Sequence, residues 1–550
     1  MKLAKTIGSL AAAVLLVTPA LAEDAWAPLR GIPVQDGGRV KPLDTFARES
    51  ARRLTGARVF GAESVSGLDP VEWMVSCWAK PDRWREEAVV RISDASLRAS
   101  IQLPPDRDRF SLAELAGHEP LRLAVERARQ LGPDAEPLLQ AANRLYGDLW
   151  LLDSILEGNA PQVAPDAAWL SIGTLQTSDD PSSQEARARI RGLLESYRRG
   201  AASSYAVRAK ELSSALAGPL GADAGLARGV EREVRYNAIK PFRVAWLLYL
   251  VALVALLAGL SLESRVMPAV GYAAMAAGLA LHSYGLGVRA LIAGRAPVTN
   301  MYESIVFAAW GVVALGLAFA ALHRSRLIAA CAAGLAVPFL LIADGVPIFD
   351  AAIDPLAPVL RDNFWLTTHV LTITLGYAAL FLALALGHVS LALQLAHAAE
   401  ARLRTVSGFL LQVIQAGTLL LAAGTLLGGV WASYSWGRFW GWDPKETWAL
   451  IAVLVYLAIL HARFAGWLRD LGMAVGSIVG GLAVLMAWYG VNYVLGTGLH
   501  SYGFGAGSAN RWVAAFAVAE VALVALAAWK LGRLVTPQTT AHNERAAIAH

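Results

Sequence analysis

The sequence predicts a mainly α protein: a polytopic transmembrane bundle of about nine helices behind an N-terminal soluble, mostly helical extracytoplasmic domain. Three observations predict it. The 550 residues are 56% hydrophobic and 17% charged, with a mean hydropathy of +0.46, too apolar for a water-soluble chain of this size. Apolar runs of spanning length recur from Phe242 onward, whereas residues 23–240 carry none. The start reads as a secretory signal, with Lys2 and Lys5, an apolar run from Ile7 to Val17, and Ala20-Leu21-Ala22 before Glu23.

These features divide the chain into a cleavable signal peptide (1–22), a soluble extracytoplasmic domain (23–240), a transmembrane domain (241–535) and a cytoplasmic tail (536–550). The formal charge of +5 and pI near 9.2 do not point to nucleic acid, because no basic run with interleaved aromatics is present. Charges flanking membrane helices account for the excess. The two cysteines, Cys77 and Cys331, form no Cys-x-x-Cys, so neither thiol exchange nor a Cys-ligated zinc or iron–sulfur site is supported.

Within 23–240, PLRLAVERARQL and AEPLLQAANRLYGDLWLLDSIL repeat apolar residues at helical spacing. AVVRISDASLRASIQL alternates and predicts one or two strands, and the small-residue stretch from Ala201 to Gly229 reads as a loose tether. No spacing here suggests catalysis; the expected task is to hold or present a partner.

The spans are expected near 242–262, 266–288, 303–322, 327–343, 366–390, 408–430, 447–465, 472–494 and 512–532. If the first enters from outside, Arg265, Arg324, Arg326, Arg402, Arg404, Arg463, Arg469, Lys530 and Arg533 fall inside. They outnumber Arg289, Arg295, Arg361, Arg438, Lys445 and Arg511 outside, the sign that the positive-inside rule expects. The longer connections then lie on the outer face: GRAPVTNMYES, DGVPIFDAAIDPLAPVLRDNFW, a tryptophan-rich stretch and LGTGLHSYGFGAGSANRW.

That stretch, WASYSWGRFWGWDPKETW, runs from Trp431 to Trp448 and holds five of the 18 tryptophans: Trp431, Trp436, Trp440, Trp442 and Trp448. Asp443, Lys445 and Glu446 do not belong on a lipid-facing helix, and Gly437, Gly441 and Pro444 interrupt the helical period. The whole stretch is therefore expected to be a loop at a membrane surface. Its indoles have two readings, an interfacial aromatic belt or a platform for a flat, conjugated ligand, and spacing alone leaves both open.

Seven of the ten histidines lie between His282 and His500. His369 and His500 bracket the tryptophan stretch on the same predicted side, where one imidazole from each could ligate a haem iron. His461, 13 residues after Trp448 or roughly 20 Å along a helix, would belong to a second site deeper in the membrane. A single histidine at a helix end is equally at home as an interfacial hydrogen-bonding residue. His282, His323, His388 and His397 are read that way, with His388 at a depth similar to His461.

Trp436-Gly-Arg-Phe-Trp440-Gly-Trp442-Asp443-Pro-Lys-Glu446-Thr-Trp448 closely resembles the tryptophan-rich WWD signature of haem-handling proteins in cytochrome c maturation. The order His369, tryptophan stretch, His461, His500, together with RAPVTNMYES, resembles the CcsA branch, alone or as the carboxyl half of the fused CcsBA synthases. The resemblance covers about residues 240–535.

It implies a cytochrome c haem lyase of the system II type in a bacterial cytoplasmic membrane, with the haem site and soluble domain on the periplasmic side. His369 and His500 would be the external ligands of haem b, His461 an intramembrane ligand, and Trp436, Trp440, Trp442 and Asp443 would hold the haem edge. The substrate would be the Cys-x-x-Cys-His segment of apocytochrome c, whose own thiols react, so no catalytic residue is expected in this chain. The helices that precede this domain in the fused proteins have no counterpart before Phe242. The implied partners are therefore haem, apocytochrome c, the lipid bilayer and a ResB/CcsB-like subunit supplying the second intramembrane histidine, or else His388 substitutes. Two other functions fit the same residues: a haem exporter or chaperone serving a separate ligase, and a non-catalytic subunit that recruits apocytochrome.

Overall fold

A computed structural model describes residues 24–550 except 57–64, 133–134, 165–167, 219–220, 222, 263, 346–348, 350, 356–362, 497, 499–509 and 548–550; at 182, 363, 366 and 531–547 it describes the backbone alone. The expected signal peptide and His500 thus lie outside the described residues. The chain folds as two compact units: one comprises the chain up to Leu247 with Leu281–Pro297 and Leu341–Leu356, the other Leu248–Ala280, Val298–Leu340 and Ala357–His550.

The first unit begins with a hairpin of β1 (Pro33–Asp36) and β2 (Arg39–Pro42), in register from Pro33↔Pro42 to Asp36↔Arg39. Gly37 and Gly38 close it at φ +58° and +79°, the left-handed pair that a two-residue turn between twisted strands requires. Strands β3 (Val90–Arg91) and β4 (Arg109–Phe110) pair with each other, and β5 (Gln162–Val163) and β6 (Leu170–Ser171) extend the hairpin into a sheet of order β2-β1-β5-β6. Helices Leu43–Thr55, Pro70–Ala79, Pro137–Leu156 and Gln184–Arg198 enclose a core centred on Phe46, Trp73, Trp84 and Phe110. The Trp84 indole donates to Ser76 Oγ at 2.9 Å, so its polar edge is satisfied in the interior. Cys77 is buried in the same core, and burial pushes its thiol well above the ordinary range, which makes it unreactive.

Arg30 ties this unit together. Its guanidinium meets Asp24 at 2.8 Å, Asp44 at 2.5 Å and Asp69 at 3.1 Å, and Asp69 in turn caps Pro70–Ala79. Burial opposes its charge, but Asp69, Asp44 and Asp24 outweigh that and raise its pKa. Arg30→Leu strands the buried Asp44 carboxylate with Arg48 as its remaining cation. We expect a loss on the order of 3 kcal/mol, read as earlier thermal unfolding of the full chain.

Of two expectations for this region, one is met in part and the other is corrected. Residues 88–103 yield the short strand Val90–Arg91 followed by helix Ala95–Ser100, because Asp94 accepts from the Ser96 and Leu97 amides and starts a helix where alternation suggested a strand. The supposed tether contains helices Tyr205–Ala215 and Ala224–Ile239, the second capped by Asp223. Its alanines favour helix, and Leu212 and Val230 are buried.

Three arginines account for the presence of Leu341–Leu356 in the first unit. Arg39 donates to the Ile353 carbonyl at 2.8 Å while gripping Glu233 with both terminal nitrogens at 2.9 Å. Arg289 reaches the Ala351 carbonyl and Arg295 that of Asp354, at 2.9 and 2.7 Å. These bonds satisfy an irregular backbone and join segments that the sequence reading puts on one side of the membrane.

Among the described residues, nine helices are long and apolar enough to cross a membrane. We label them α1 (Pro241–Ser261), α2 (Val266–Ala293), α3 (Met301–His323), α4 (Arg326–Gly345), α5 (Asn363–Leu395), α6 (Glu400–Trp436), α7 (Pro444–Phe464), α8 (Asp470–Leu485) and α9 (Asn510–Ala547). A π-helical turn, Met486–Leu495, continues α8. The chain is a polytopic helical membrane protein. In the second unit α5 and α6 pack along glycines: a Cβ at Gly376 would lie 2.8 Å from the Leu421 nitrogen, and one at Gly424 2.6 Å from Ile373 Cβ. Close backbone approach is how helices gain packing where lipid removes the hydrophobic drive.

Candidate functional site

The glycine seam of α6 ends in a notch that holds His369. A Cβ at Gly428 would stand 2.6 Å from the His369 ring. Below the notch, Nδ1 of His369 lies 2.7 Å from the Gly424 carbonyl, which assigns the proton to Nδ1 and the lone pair to Nε2. The buried Trp431 lies nearly parallel to the imidazole, at 14° and 6.1 Å between centroids, and meets Trp436 edge-on at 5.1 Å. Trp365 stacks on Tyr434 at 5.6 Å on the same pair of helices. Gly428→Val should push the imidazole off its seat and weaken any ligand held by His369 about 10- to 100-fold, measured by ligand titration of the purified variant.

The tryptophan stretch is not all loop. Helix α6 runs through Trp436, since WASYSW contains no helix breaker, and Gly437 ends it in the left-handed conformation at φ +71°. Helix α7 starts at Pro444, where the missing N–H is harmless, so the irregular part is Gly437–Asp443 alone.

Within this short connection, Phe439 folds back onto Gly429, where a Cβ would be 2.6 Å from its ring. Arg438 lies over Trp436 at 5.9 Å and pairs with Glu446 at 3.0 Å; it also occupies the space that a side chain at Gly441 would need. The Arg438 guanidinium is thus committed within the loop. Trp442 is held at φ +59°, strained for a bulky residue; the residue is 69% exposed and its ring is edge-on to Trp440 at 5.9 Å.

Glu446 holds that strain in place. One carboxylate oxygen accepts from the Gly441 and Asp443 amides, at 2.7 and 3.2 Å, on either side of Trp442. Asp443 completes a capping box on α7, accepting from the Lys445 amide at 2.9 Å. It also faces Gly498, where a Cβ would be 2.3 Å from its carboxylate. The Lys445 ammonium donates to the Trp488 carbonyl at 3.2 Å in the π-helical turn, and the Trp488 indole donates to Ser304 of α3.

The structure therefore brings His369 together with Trp431 and Trp436, and Trp440, Trp442 and Asp443 onto the adjoining turn. His461 is elsewhere, 18 residues beyond Asp443 in the last turn of α7, roughly 27 Å along it. It is exposed, and its Nδ1 lies 2.7 Å from the Leu457 carbonyl, again assigning the lone pair to Nε2. His388 is more than a packing residue: Nδ1 meets the Leu384 carbonyl at 2.9 Å and Nε2 meets Glu520 of α9 at 2.8 Å. Sequence reasoning missed Glu520, although a lone carboxylate in an apolar run (AEVALVALAAW) was the available signal.

A family model described as cytochrome C assembly protein matches residues 298–500, which contain α3 to α8 and the tryptophan turn. Cytochrome c biogenesis protein CcsA of Synechococcus elongatus is 34% identical over 290 residues, covering 43% of this chain and 88% of that protein. CcsA of Microcystis aeruginosa is 34% identical over 274 residues, 40% of this chain and 83% of the relative. Protein NrfI of Wolinella succinogenes is 30% identical over 504 residues; the match takes in 85% of this chain but spans only about half, 53%, of NrfI. The chain thus belongs to the cytochrome c assembly protein family, on its CcsA branch.

Proposed function

We propose that this chain receives haem and presents it at the periplasmic face of a bacterial cytoplasmic membrane for thioether attachment to apocytochrome c. The observation that carries the reading is the seating of His369: a tautomer fixed by Gly424, a ring backed by Trp431, and a tryptophan turn held by Glu446 on the adjoining connection. A porphyrin brings four nitrogens of its own and needs only axial donors. Among the described residues no three His, Cys, Asp or Glu side chains converge, so isolated imidazoles are what this site offers a metal.

In this reading His369 and His500 ligate the iron of haem b as it is presented, and Trp436, Trp440 and Trp442 cover its face and edge. Asp443 and Glu446 shape the turn. Each cysteine S–H of the substrate adds across one vinyl group, the sulfur bonding one vinyl carbon and the hydrogen the other, with no change in iron oxidation state. The chain contributes position and exclusion of water, not a nucleophile. His461, exposed on α7 with its lone pair on Nε2, is half of an intramembrane site whose second imidazole comes from a ResB/CcsB-like subunit, since Glu520 already engages His388. Residues 23–240 form an extracytoplasmic domain that holds the apocytochrome or that subunit.

The test is co-expression with and without a ResB-like subunit, with an apocytochrome as acceptor and haem and reductant supplied, scoring covalent haem on denaturing gels. Covalent product that requires this chain is expected. Its absence in every pairing would sink the lyase reading, and haem delivered only to a separate ligase would make the chain an exporter.

A further inference from the structure

Helix α9 is the least enclosed of the nine candidate spans: only 11% of its most apolar stretch is buried, and Trp512, Val518, Val521 and Leu526 face outward. Polar contacts at Asn510 and Glu520 dock it. Asn510 accepts from the Tyr489 hydroxyl at 2.9 Å and donates to the Tyr493 carbonyl at 2.7 Å. Ten residues on, roughly 15 Å along the helix, the buried Glu520 meets His388. Because Nδ1 of His388 donates to Leu384, the contact between Nε2 and Glu520 contains one proton, and the pair is neutral overall whichever atom carries it. A neutral hydrogen-bonded pair can persist where a lone carboxylate would be costly.

The route from this pair to the tryptophan turn is continuous. Glu520 fixes α9, and Asn510 of α9 clamps Tyr489 and Tyr493, whose rings stack at 4.7 Å in the π-helical turn. The Trp488 carbonyl of that turn receives Lys445, the neighbour of Glu446. A π-helical segment is wider than the α-helix it continues and is rare outside functional sites; here contacts from both α7 and α9 meet it. We propose that His388 and Glu520 are positioning residues: their hydrogen bond docks α9 and, through Asn510 and the π-helical turn, sets the tryptophan turn for haem. The proposal rests on the haem-presenting reading above.

Amide hydrogen exchange of the purified full chain tests it without haem. Glu520→Leu should raise exchange in Met486–Leu495 about tenfold, and Asn510→Ala should do the same while leaving the His388 contact intact. Glu520→Gln, which can still donate to Nε2, should exchange like the native chain and keep its haem absorption spectrum, whereas Glu520→Leu should lose the six-coordinate bands. The proposal is overturned if Glu520→Leu leaves exchange and spectrum unchanged, or if Glu520→Gln is as damaged as Glu520→Leu, since charge would then be what matters. Should Glu520→Leu fail to fold, Asn510→Ala decides alone: native exchange in that variant overturns the proposal. If the native chain shows no bis-histidine spectrum while the exchange differences hold, the haem reading fails and the docking role stands.

Discussion

Replacing His369 by alanine is expected to abolish the six-coordinate haem spectrum and lower covalent haem attachment on the order of 100-fold or more. Even the partners that merely orient a metal-bound histidine contribute 10- to 100-fold. His369 is more than an orienting partner in this reading, because Gly424 and Trp431 hold it in place and Gly428 leaves room for no larger neighbour. The substitution opens a hole the size of the ring beside that glycine. Imidazole added to His369→Ala should therefore enter and restore part of the spectrum, whereas a variant that had merely misfolded would not respond. Absorption spectra of the purified variant with and without imidazole, beside a haem-stained gel, check both outcomes. An unaltered six-coordinate spectrum in His369→Ala would remove this residue from the site.

The second large effect is expected at Glu446, which carries no haem in this reading. Its carboxylate binds the amides flanking Trp442 and the Arg438 guanidinium, so Glu446→Ala releases three contacts together. A non-glycine residue in the left-handed region costs of order 1 kcal/mol or more, and without Glu446 the Trp442 backbone is expected to relax out of it. Haem attachment should fall about 30- to 100-fold, the cost of misplacing a positioning group by about an ångström. Trp442→Gly separates the two contributions. Glycine adopts this conformation without strain, so the turn should be stabilised by about 1 kcal/mol while its haem affinity drops with the lost ring. A haem titration and a thermal melt on the same sample should therefore move in opposite directions.

The spans were legible because lipid makes a local demand. A segment must be about 20 apolar residues with its backbone bonded internally, and residues 242–262 expected against Pro241–Ser261 found show how closely composition answers it. Composition also singled out the tryptophan stretch and His369, whose ring lies parallel to Trp431. It misjudged the stretch's shape: five tryptophans with Gly and Pro suggested a loop throughout, yet α6 continues to Trp436 because a helix ends where its backbone bonds end.

The sequence by itself determined a polytopic membrane protein of the CcsA kind, and singled out His369 and the tryptophan turn, since span length, apolarity and a dense motif can each be read over a few neighbouring residues. Only the tertiary structure decided what holds those parts. Trp442 stays in its strained backbone because Glu446 lies within reach of two amides, and His369 has its tautomer because Gly424 of another helix presents a carbonyl. His388 and Glu520 meet although 132 residues separate them. For the two histidines the physical reason is the same: a hydrogen-bond partner supplied across helices depends on which faces pack together, and no local pattern encodes that; the Glu446 contacts are local, within five residues, and there the structure added only the strained backbone they hold.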